Sequence, residues 1–284
     1  MNLGGMKSYF FLFFLIIKSK NIFAQPDVSN IVVEYNVKHI IDTTNNFSIS
    51  YPLLLIANGN NSYSISRNKF VSDSLEKANP VTISNIGGGF IIKSNNLGSK
   101  RLSSFESVIL YNDFVKKIQI EKIEIGSQKY LMIDSSDNPL WEIKSAYKNI
   151  NGYNCQLAKT KYKGRIWDVW FSNEIAIPNG PWKLKGLPGL ILEATDSLNQ
   201  VSFTLNGIAY QKRIVQKPES HEIITRKEYF NLLKAYAEDP MAFFENQQGV
   251  KINFSDFKSD NGFPVSDQQS RKKLKLPNNP IELE

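Results

Sequence analysis

The sequence predicts a mainly β protein, built on a single strongly curved antiparallel sheet (half-barrel-like) with one helical segment near the C-terminus packed on it. Three observations support this fold class. Apolar and polar residues alternate with a period of two along most of the chain, short turn-rich connections separate the alternating stretches, and one helix signal stands out late in the sequence. Strands joined by short connections favour one antiparallel sheet over alternating strands and helices.

The composition is that of a folded domain with modest charge. The chain has 284 residues, of which 42% are hydrophobic and 21% are charged, with one cysteine and two histidines. This length supplies enough apolar residues for a sizeable core. One cysteine excludes an internal disulfide, and two histidines exclude a metal site built from three histidines. We therefore expect neither a metal nor a cofactor.

The N-terminus has the features of an export signal. Nine apolar or aromatic residues, YFFLFFLII, follow Lys7, and the small residue Ala24 precedes Gln25. This run is about half of the ~20 residues that a transmembrane helix needs. We predict a signal peptide over residues 1–24, cleaved near Ala24-Gln25. The mature protein would then be exported to the periplasm or the cell exterior, without a transmembrane span.

Removal of this segment also removes three lysines, so the net charge falls from +7 to 7 − 3 = +4. A balance this small argues against a nucleic-acid partner.

Strands are predicted along most of the mature chain. Residues 31–41 alternate in hydrophobicity, and residues 51–68 have the pattern of a hairpin around a turn at Asn58-Gly59-Asn60-Asn61. The polar stretch 72–89 is predicted as a loop. Further strands are predicted at 105–112, 117–125, 129–134, 139–148, 153–162, 164–173, 189–195 and 200–210.

The strand at 164–173 carries bulky residues on both faces. Trp167 and Phe171 share one face, while Ile166 and Trp170 share the other. This pattern indicates a strand that is covered on both sides or that lines a concavity.

The helix signal is a capping box at Thr225-Arg-Lys-Glu228, which predicts a helix over 226–238. Asp239-Pro240 then predicts a second, shorter helix. We assign residues 25–257 to a single β-rich domain that includes helix 226–238. Residues 258–284 are predicted to form a polar, poorly ordered tail.

Residues Gly186, Leu187, Pro188, Gly189, Leu190 and Ile191 spell the signature of the GLPGLI family of exported bacterial proteins, and the chain resembles that family. The resemblance extends to Gly180-Pro181-Trp182 and to the strand at 164–173. It implies an exported protein of unassigned activity. A weaker similarity of pattern links the strands and the late helix to periplasmic lipoprotein-carrier half-barrels.

The motif also has a physical interpretation that needs no ligand. Pro188 and a left-handed Gly189 suit a type II turn, while Gly186 permits close approach of the backbone. The motif would then form a packed corner that feeds a central strand, or a corner that shapes the mouth of a cavity.

No recognised catalytic motif is present, so we name no catalytic residue and expect a protein that is not an enzyme. Aromatic residues in the strands fill a sheet core or, alternatively, line an apolar groove closed by helix 226–238. The candidate ligand-binding residues are Trp141, Trp167, Trp170, Trp182 and His39. His39 interrupts an apolar face, where a packed, hydrogen-bonded histidine is the alternative interpretation.

The leading functional hypothesis is a non-enzymatic binding protein of the cell envelope, which binds an apolar ligand or an extended segment of an envelope protein. One alternative is an accessory or structural component that docks on an outer-membrane assembly through a sheet edge. The other is a hydrolase that uses carboxylates. It requires convergence of acids among Asp134, Asp168, Asp196, Glu142 and Glu193.

Overall fold

The computed structural model describes residues 31–78, 82–86, 89–93, 108–249, 251 and 273–283. The predicted signal peptide lies outside these residues, so its assignment stays a prediction. Within the described ranges, no helix combines the length and apolar character needed to cross a membrane.

Most of the predicted strands are present, with small shifts in their ends. The strands are β1 (Ile31–Asp42), β2 (Phe47–Ala57), β3 (Asn61–Ser66), β4 (Thr82–Ile86), β5 (Gly89–Lys93), β6 (Ile109–Asp113), β7 (Ile118–Ile125), β8 (Gln128–Ser135), β9 (Glu142–Ile150), β10 (Tyr153–Tyr162), β11 (Arg165–Ser172), β12 (Leu190–Asp196), β13 (Val201–Ala209) and β14 (Glu222–Ile223). The helices are α1 (Arg67–Ala78), α2 (Arg226–Glu238) and α3 (Pro240–Gln248).

Twelve of these strands form one sheet in the order β14-β8-β7-β6-β3-β2-β1-β13-β12-β11-β10-β9. All neighbours pair antiparallel except β14 and β8, which are parallel. The sheet has two edges, β14 and β9, and is not closed. Strands β4 and β5 form a separate pair. The predicted fold class is confirmed, because the protein is mainly β with one large, mostly antiparallel sheet and helices packed on it.

Strand β1 joins the two halves of the sheet. It pairs with β2 on one side and with β13 on the other, so that Val37 lies opposite both Tyr51 and Phe203. Strands β2, β3 and β6 to β8 extend from one side of β1, and strands β9 to β13 extend from the other. The first described strand is therefore central to the sheet.

The sheet buries apolar residues on both faces. The inner cluster includes Tyr35, Trp167 and Phe171, all with 1% exposure or less. A second cluster, around Ile56 and Tyr63, lies on the other face of β2 and β3. Successive residues of a strand point to opposite faces of the sheet. All six residues of β3 are buried, so both faces are covered at this strand.

The helices show two confirmed predictions and one error. The shorter helix predicted at Asp239-Pro240 is α3, and the Asp239 side chain caps its N-terminus. Helix α2 has the predicted bounds and the capping box, since the Thr225 side chain accepts from the Glu228 backbone and the Glu228 side chain accepts from the Thr225 backbone. The stretch 72–89 predicted as a loop instead contains the end of α1 at residues 72–78 and strand β4 at residues 82–86. The first turn of α1 is capped by Ser66, whose Oγ accepts from the Lys69 amide at 3.0 Å.

Candidate functional site

The concave face of the sheet is filled. The connection between β11 and β12, residues 173–189, crosses this face and is called the interior loop below. Lys183 and Lys185 of this loop contact β7, although strands β6, β3, β2, β1 and β13 lie between β7 and β12 in the sheet. Leu184 and Leu187 of the same loop have 1% exposure or less. Of the two interpretations of the aromatic strands, the filled core therefore describes this face, and the protein itself occupies the place of the alternative apolar groove.

The predicted tryptophans take part in this packing. Trp167 has no exposed surface, and its ring centroid lies 5.6 Å from that of Trp182. Trp182 is half-buried and has a φ of 55°, a conformation that bulky residues rarely adopt. Trp141 donates its indole N–H to the carbonyl oxygen of Lys185 at 2.9 Å.

The other two predicted residues have different surroundings. Trp170 is half-buried and packs against the same inner cluster, and the Nζ of Lys148 lies 4.6 Å from its ring centroid. His39 is buried, and its Nε2 lies 2.8 Å from the carbonyl oxygen of Asn279. Burial lowers the pKa of His39 to about 4, so the ring is neutral near pH 7 and its Nε2–H donates. The structure does not bring the five predicted residues together in one site.

The signature at residues 186–191 is a packed corner, but its turn differs from the prediction. Gly186, with a φ of +91°, takes the left-handed conformation, whereas the φ of Gly189 lies outside that region. A Cβ at Gly189 would lie 2.0 Å from the carbonyl oxygen of Ser172. The predicted type II turn is therefore wrong, because it requires a left-handed Gly189. A glycine is needed at this position for a different reason, which is the close approach of its backbone to Ser172.

The interior loop introduces two buried lysines with different surroundings. The ammonium group of Lys183 is paired with Glu121 of β7 and with Glu282 near the C-terminus, and Arg226 also contacts both carboxylates. Among the residues that the structure describes, the hydrogen-bond partner of Lys185 is the amide oxygen of Gln119, at a long distance of 3.4 Å. Burial, together with the nearby charge of Lys183, lowers the pKa of Lys185 to about 8.

Among the described residues, no three of the carboxylates that a hydrolase would require form a cluster, and each of the five is bound by a different basic residue. The ion pairs are Asp134–Arg226, Glu142–Lys144, Asp168–Lys159, Glu193–Lys148 and Asp196–Arg165. None of these acids lines the two cavities described below.

The larger cavity, of about 480 Å³, is open and lies on the outer face of the sheet. We call it the outer pocket. It is bounded by β1, β2, β13, the residues that follow β13, and α1. Its apolar lining includes Val32, Leu54, Ile56, Phe70, Val71, Ile208 and Ala209. Its polar lining comprises Glu34, Arg67, Asn206, Gln211 and Arg213.

The polar residues of the outer pocket meet at Glu34. Its Oε1 accepts from the Asn206 amide at 2.9 Å and lies 3.5 Å from the Arg67 guanidinium. The Arg213 guanidinium carbon lies 5.8 Å from the centre of the Phe70 ring. Apolar surface with a few converging polar groups is typical of ligand pockets, and the volume falls within the usual range of about 300–1,000 Å³.

A β-bulge creates this arrangement. Glu34 pairs with Gly207, whereas the next residue of β1, Tyr35, pairs with Leu205, so Asn206 is an extra residue in β13. A bulge redirects side chains locally, and Asn206 bonds to Glu34 across the strand pair. A Cβ at Gly207 would meet no atom within 4 Å. Gly207 therefore leaves the space that the outer pocket occupies.

A second cavity of about 340 Å³ lies between α2, α3 and the turn that joins β7 and β8. Tyr236, Met241, Phe243 and Phe244 make its lining mainly apolar. It contains glutamine and serine residues but no charged side chain. It therefore lacks the converging charged groups that distinguish the outer pocket.

The described residues contain no cluster of three or more histidine, cysteine or acidic side chains that could hold a metal ion. Cys155 is buried, and burial raises the pKa of its thiol to about 11. Such a thiol is a poor nucleophile at neutral pH.

The sequence did not single out the residues of the outer pocket. The alternation along residues 31–41 places Glu34 on the polar face of a strand and indicates no further role. One signal was available, because an isolated glycine inside a strand pattern indicates a bulge, and Gly207 is such a residue.

Comparison with known proteins gives a family and a fold. The family model described as "N-glycanase peptide, N-terminal domain" matches residues 62–234, more than half of the chain. Two crystal structures of PNGF-II, in space groups C2 and P21, each align with a TM-score of 0.50 at 13% identity. The alignments cover 81% and 82% of this chain but only 37% and 38% of PNGF-II. No curated protein sequence matches the chain.

These matches correct the earlier assignments. The predicted membership of the GLPGLI family is wrong, because the matched family is that of an N-glycanase domain. The similarity to lipoprotein carriers is not supported either, since the two solved structures named above are both of PNGF-II. The predictions of unassigned activity and of a non-enzymatic envelope protein are overturned by the same match. The alternative of an accessory component of an outer-membrane assembly is no better supported.

Proposed function

We infer that this protein acts in the release of N-glycans from peptides, because the chain belongs to the N-glycanase peptide, N-terminal domain, family. The family match over residues 62–234 is the observation that carries this proposal. The chain spans little more than a third of the length of PNGF-II. We therefore propose a specific part for this domain, which is to bind the glycan of the substrate at the outer pocket.

The lining of the outer pocket suits a sugar. A pyranose ring has an apolar C–H face and a rim of hydroxyl groups, and an N-acetyl group adds a methyl and an amide. Leu54, Phe70 and Val71 offer an apolar surface for the ring face. Glu34 accepts hydrogen bonds and Arg67 donates them, so both sides of a hydroxyl group can be satisfied.

The preformed contacts of Glu34 favour binding without rearrangement. Asn206 already donates to its carboxylate at 2.9 Å. Because this contact orients Glu34 before the ligand arrives, less conformational freedom is lost on binding. Arg67 lies 3.5 Å from the same carboxylate, and its side chain is 57% exposed and accessible to a ligand.

Two assays test the proposal. Isothermal titration calorimetry measures binding of a peptide that carries one N-glycan, against the same peptide without its glycan. Mass spectrometry of the incubated glycopeptide then measures loss of the glycan. We expect the full chain to bind the glycosylated form selectively.

Variants locate the site. Gly207→Leu places a side chain in the outer pocket and is expected to weaken glycopeptide binding at least tenfold. Arg67→Ala removes a donor from the rim and is expected to weaken binding less. Gly59→Leu is the matched control, since a Cβ at Gly59 also meets no atom within 4 Å but lies in the exposed β2–β3 turn, away from the pocket. Equal binding by the Gly207 and Gly59 variants would show that the glycan does not bind in the outer pocket.

A further inference from the structure

The last described residues, 278–283, cross the edge of the inner face and are called the strap below. This segment lies within the stretch predicted as a poorly ordered tail. Asn279 has 4% exposure and Glu282 has 9%. The strap is thus an extended peptide held by residues far from it in sequence.

The protein binds three consecutive backbone carbonyl groups of the strap. His39 contacts the carbonyl oxygen of Asn279 at 2.8 Å. Arg165 donates to the carbonyl oxygens of Pro280 at 2.7 Å and Ile281 at 2.9 Å. These contacts depend on the peptide backbone and not on the side chains, so they would hold any extended segment of suitable path.

Two side chains of the strap, those of Asn279 and Glu282, are recognised by specific contacts with the rest of the protein. The Asn279 carboxamide accepts from Arg165 at 2.6 Å and donates to the carbonyl oxygen of Ile40 at 2.5 Å. A carboxamide satisfies both contacts, whereas a carboxylate cannot donate to Ile40. Three residues later, Glu282 is bound by Lys183 and Arg226. The contacts therefore select asparagine followed, at the third position, by an acidic residue.

The apolar contribution of the strap is small. Ile281 packs against the inner cluster as a partly buried residue, while Leu283 is 49% exposed. Most of the contacts that hold the strap on the protein are polar, and another segment with the same polar groups can form each of them in its place. A strap held chiefly by a large apolar anchor would not be exchangeable in this way.

We propose that the strap occupies a binding groove for extended polypeptide, and that a segment of another polypeptide with the pattern Asn-x-x-acidic displaces it. In the absence of that partner, the strap covers the groove formed by His39, Arg165, Lys183 and Arg226. A tethered segment competes at a high effective concentration, so the partner binds only if it matches these contacts. This inference does not depend on the glycan-binding role of the outer pocket.

The test uses the full chain and a fluorescently labelled synthetic peptide with the sequence of residues 276–284, followed by fluorescence anisotropy. Asn279→Ala removes both carboxamide contacts of the tethered strap, and Glu282→Gln removes the negative charge that pairs with Lys183 and Arg226. We expect both variants to bind the peptide at least tenfold more tightly than the wild-type chain. Leu276→Ala is the control, because Leu276 is partly exposed and lies two residues before the strap. This variant should bind the peptide as the wild-type chain does.

The peptide can also be varied. A peptide with alanine in place of its asparagine at the Asn279 position should bind the Asn279→Ala chain at least tenfold more weakly than the matching peptide. In the wild-type chain, saturating peptide should speed hydrogen exchange of the Leu283 amide, which now donates to the carbonyl oxygen of Lys163 at 3.2 Å. The inference is overturned if neither variant, folded by circular dichroism, binds the peptide and if the Leu283 amide keeps its protection.

Discussion

Replacing Lys185 by methionine is expected to stabilise the protein, although the residue is completely buried and its neighbour Lys183 must be kept. The pKa of Lys185 falls from 10.5 to about 8 on folding. One pH unit corresponds to ~1.36 kcal/mol, so the charged form at pH 7 costs about 3 kcal/mol of stability. Methionine retains most of the length of the side chain and carries no charge.

Part of this gain is lost, because the variant leaves Gln119 without its contact to Lys185. That contact is long, at 3.4 Å, and leaving a buried polar group unpaired costs about 1 kcal/mol or more. The expected net effect is about 2 kcal/mol of added stability at pH 7. For a protein of this size, this corresponds to a rise in Tm of roughly 4–8 °C.

The pH dependence gives a sharper test than the Tm alone. Because the folded-state pKa of Lys185 lies below its unfolded value, the unfolded state binds more protons between pH 8 and 10.5. Wild-type stability contributed by this residue therefore rises as the pH increases through that interval. The variant lacks this rise, so its advantage should shrink by more than half between pH 7 and pH 10.

Thermal unfolding followed by circular dichroism measures both effects, and Lys183→Met is the matched control. Lys183 neutralises Glu121 and Glu282, so its loss leaves buried carboxylates short of a partner and should cost about 3–5 kcal/mol. If Lys185→Met lowers the Tm at pH 7, or if its advantage is constant up to pH 10, the reasoning is refuted.

Three further outcomes are expected. Gly189→Ala should destabilise the protein by more than about 3 kcal/mol in urea unfolding, since its Cβ would lie 2.0 Å from the carbonyl oxygen of Ser172; a stable, soluble alanine variant would contradict the assigned role. Thr225→Ala should cost about 1 kcal/mol through loss of the cap of α2, whereas a change below ~0.3 kcal/mol would show that the cap is unimportant. His39→Gln should lose less stability than the wild type when the pH falls from 6.5 to 4, by up to about 3 kcal/mol, because the pKa of His39 is depressed to about 4 and unfolding then takes up a proton; parallel pH profiles of urea unfolding would exclude this explanation.

The elements that could be predicted from sequence are those fixed by local chemistry. Strand β10 has the predicted bounds because tight turns limit both of its ends, and Asn151, Gly152, Lys163 and Gly164 all have positive φ. Hairpin turns of this kind require such residues. Helix α2 has the predicted bounds because its capping box acts within four residues. Local signals of this kind carry their structural meaning without knowledge of the fold.

The remaining features depend on contacts between distant residues. Glu34 and Asn206 form the outer pocket across a bulge in a strand pair, 172 residues apart in sequence. Asn279 and Arg165 are 114 residues apart. Lysine is usually exposed, but Lys183 and Lys185 are buried because the interior loop places them against β7. No periodicity or local motif records these pairings.

The central position of β1 has a consequence for the order in which the chain folds. This strand leaves the ribosome first among the described elements, yet one of its edges can be paired only after residues 201–209 of β13 have been made. Until then, β1 presents a long unpaired edge, which is prone to non-native association. The sheet can therefore be completed only late in synthesis, after β13 has been made. We expect a chain interrupted before β13 to aggregate and not to persist as a folded fragment.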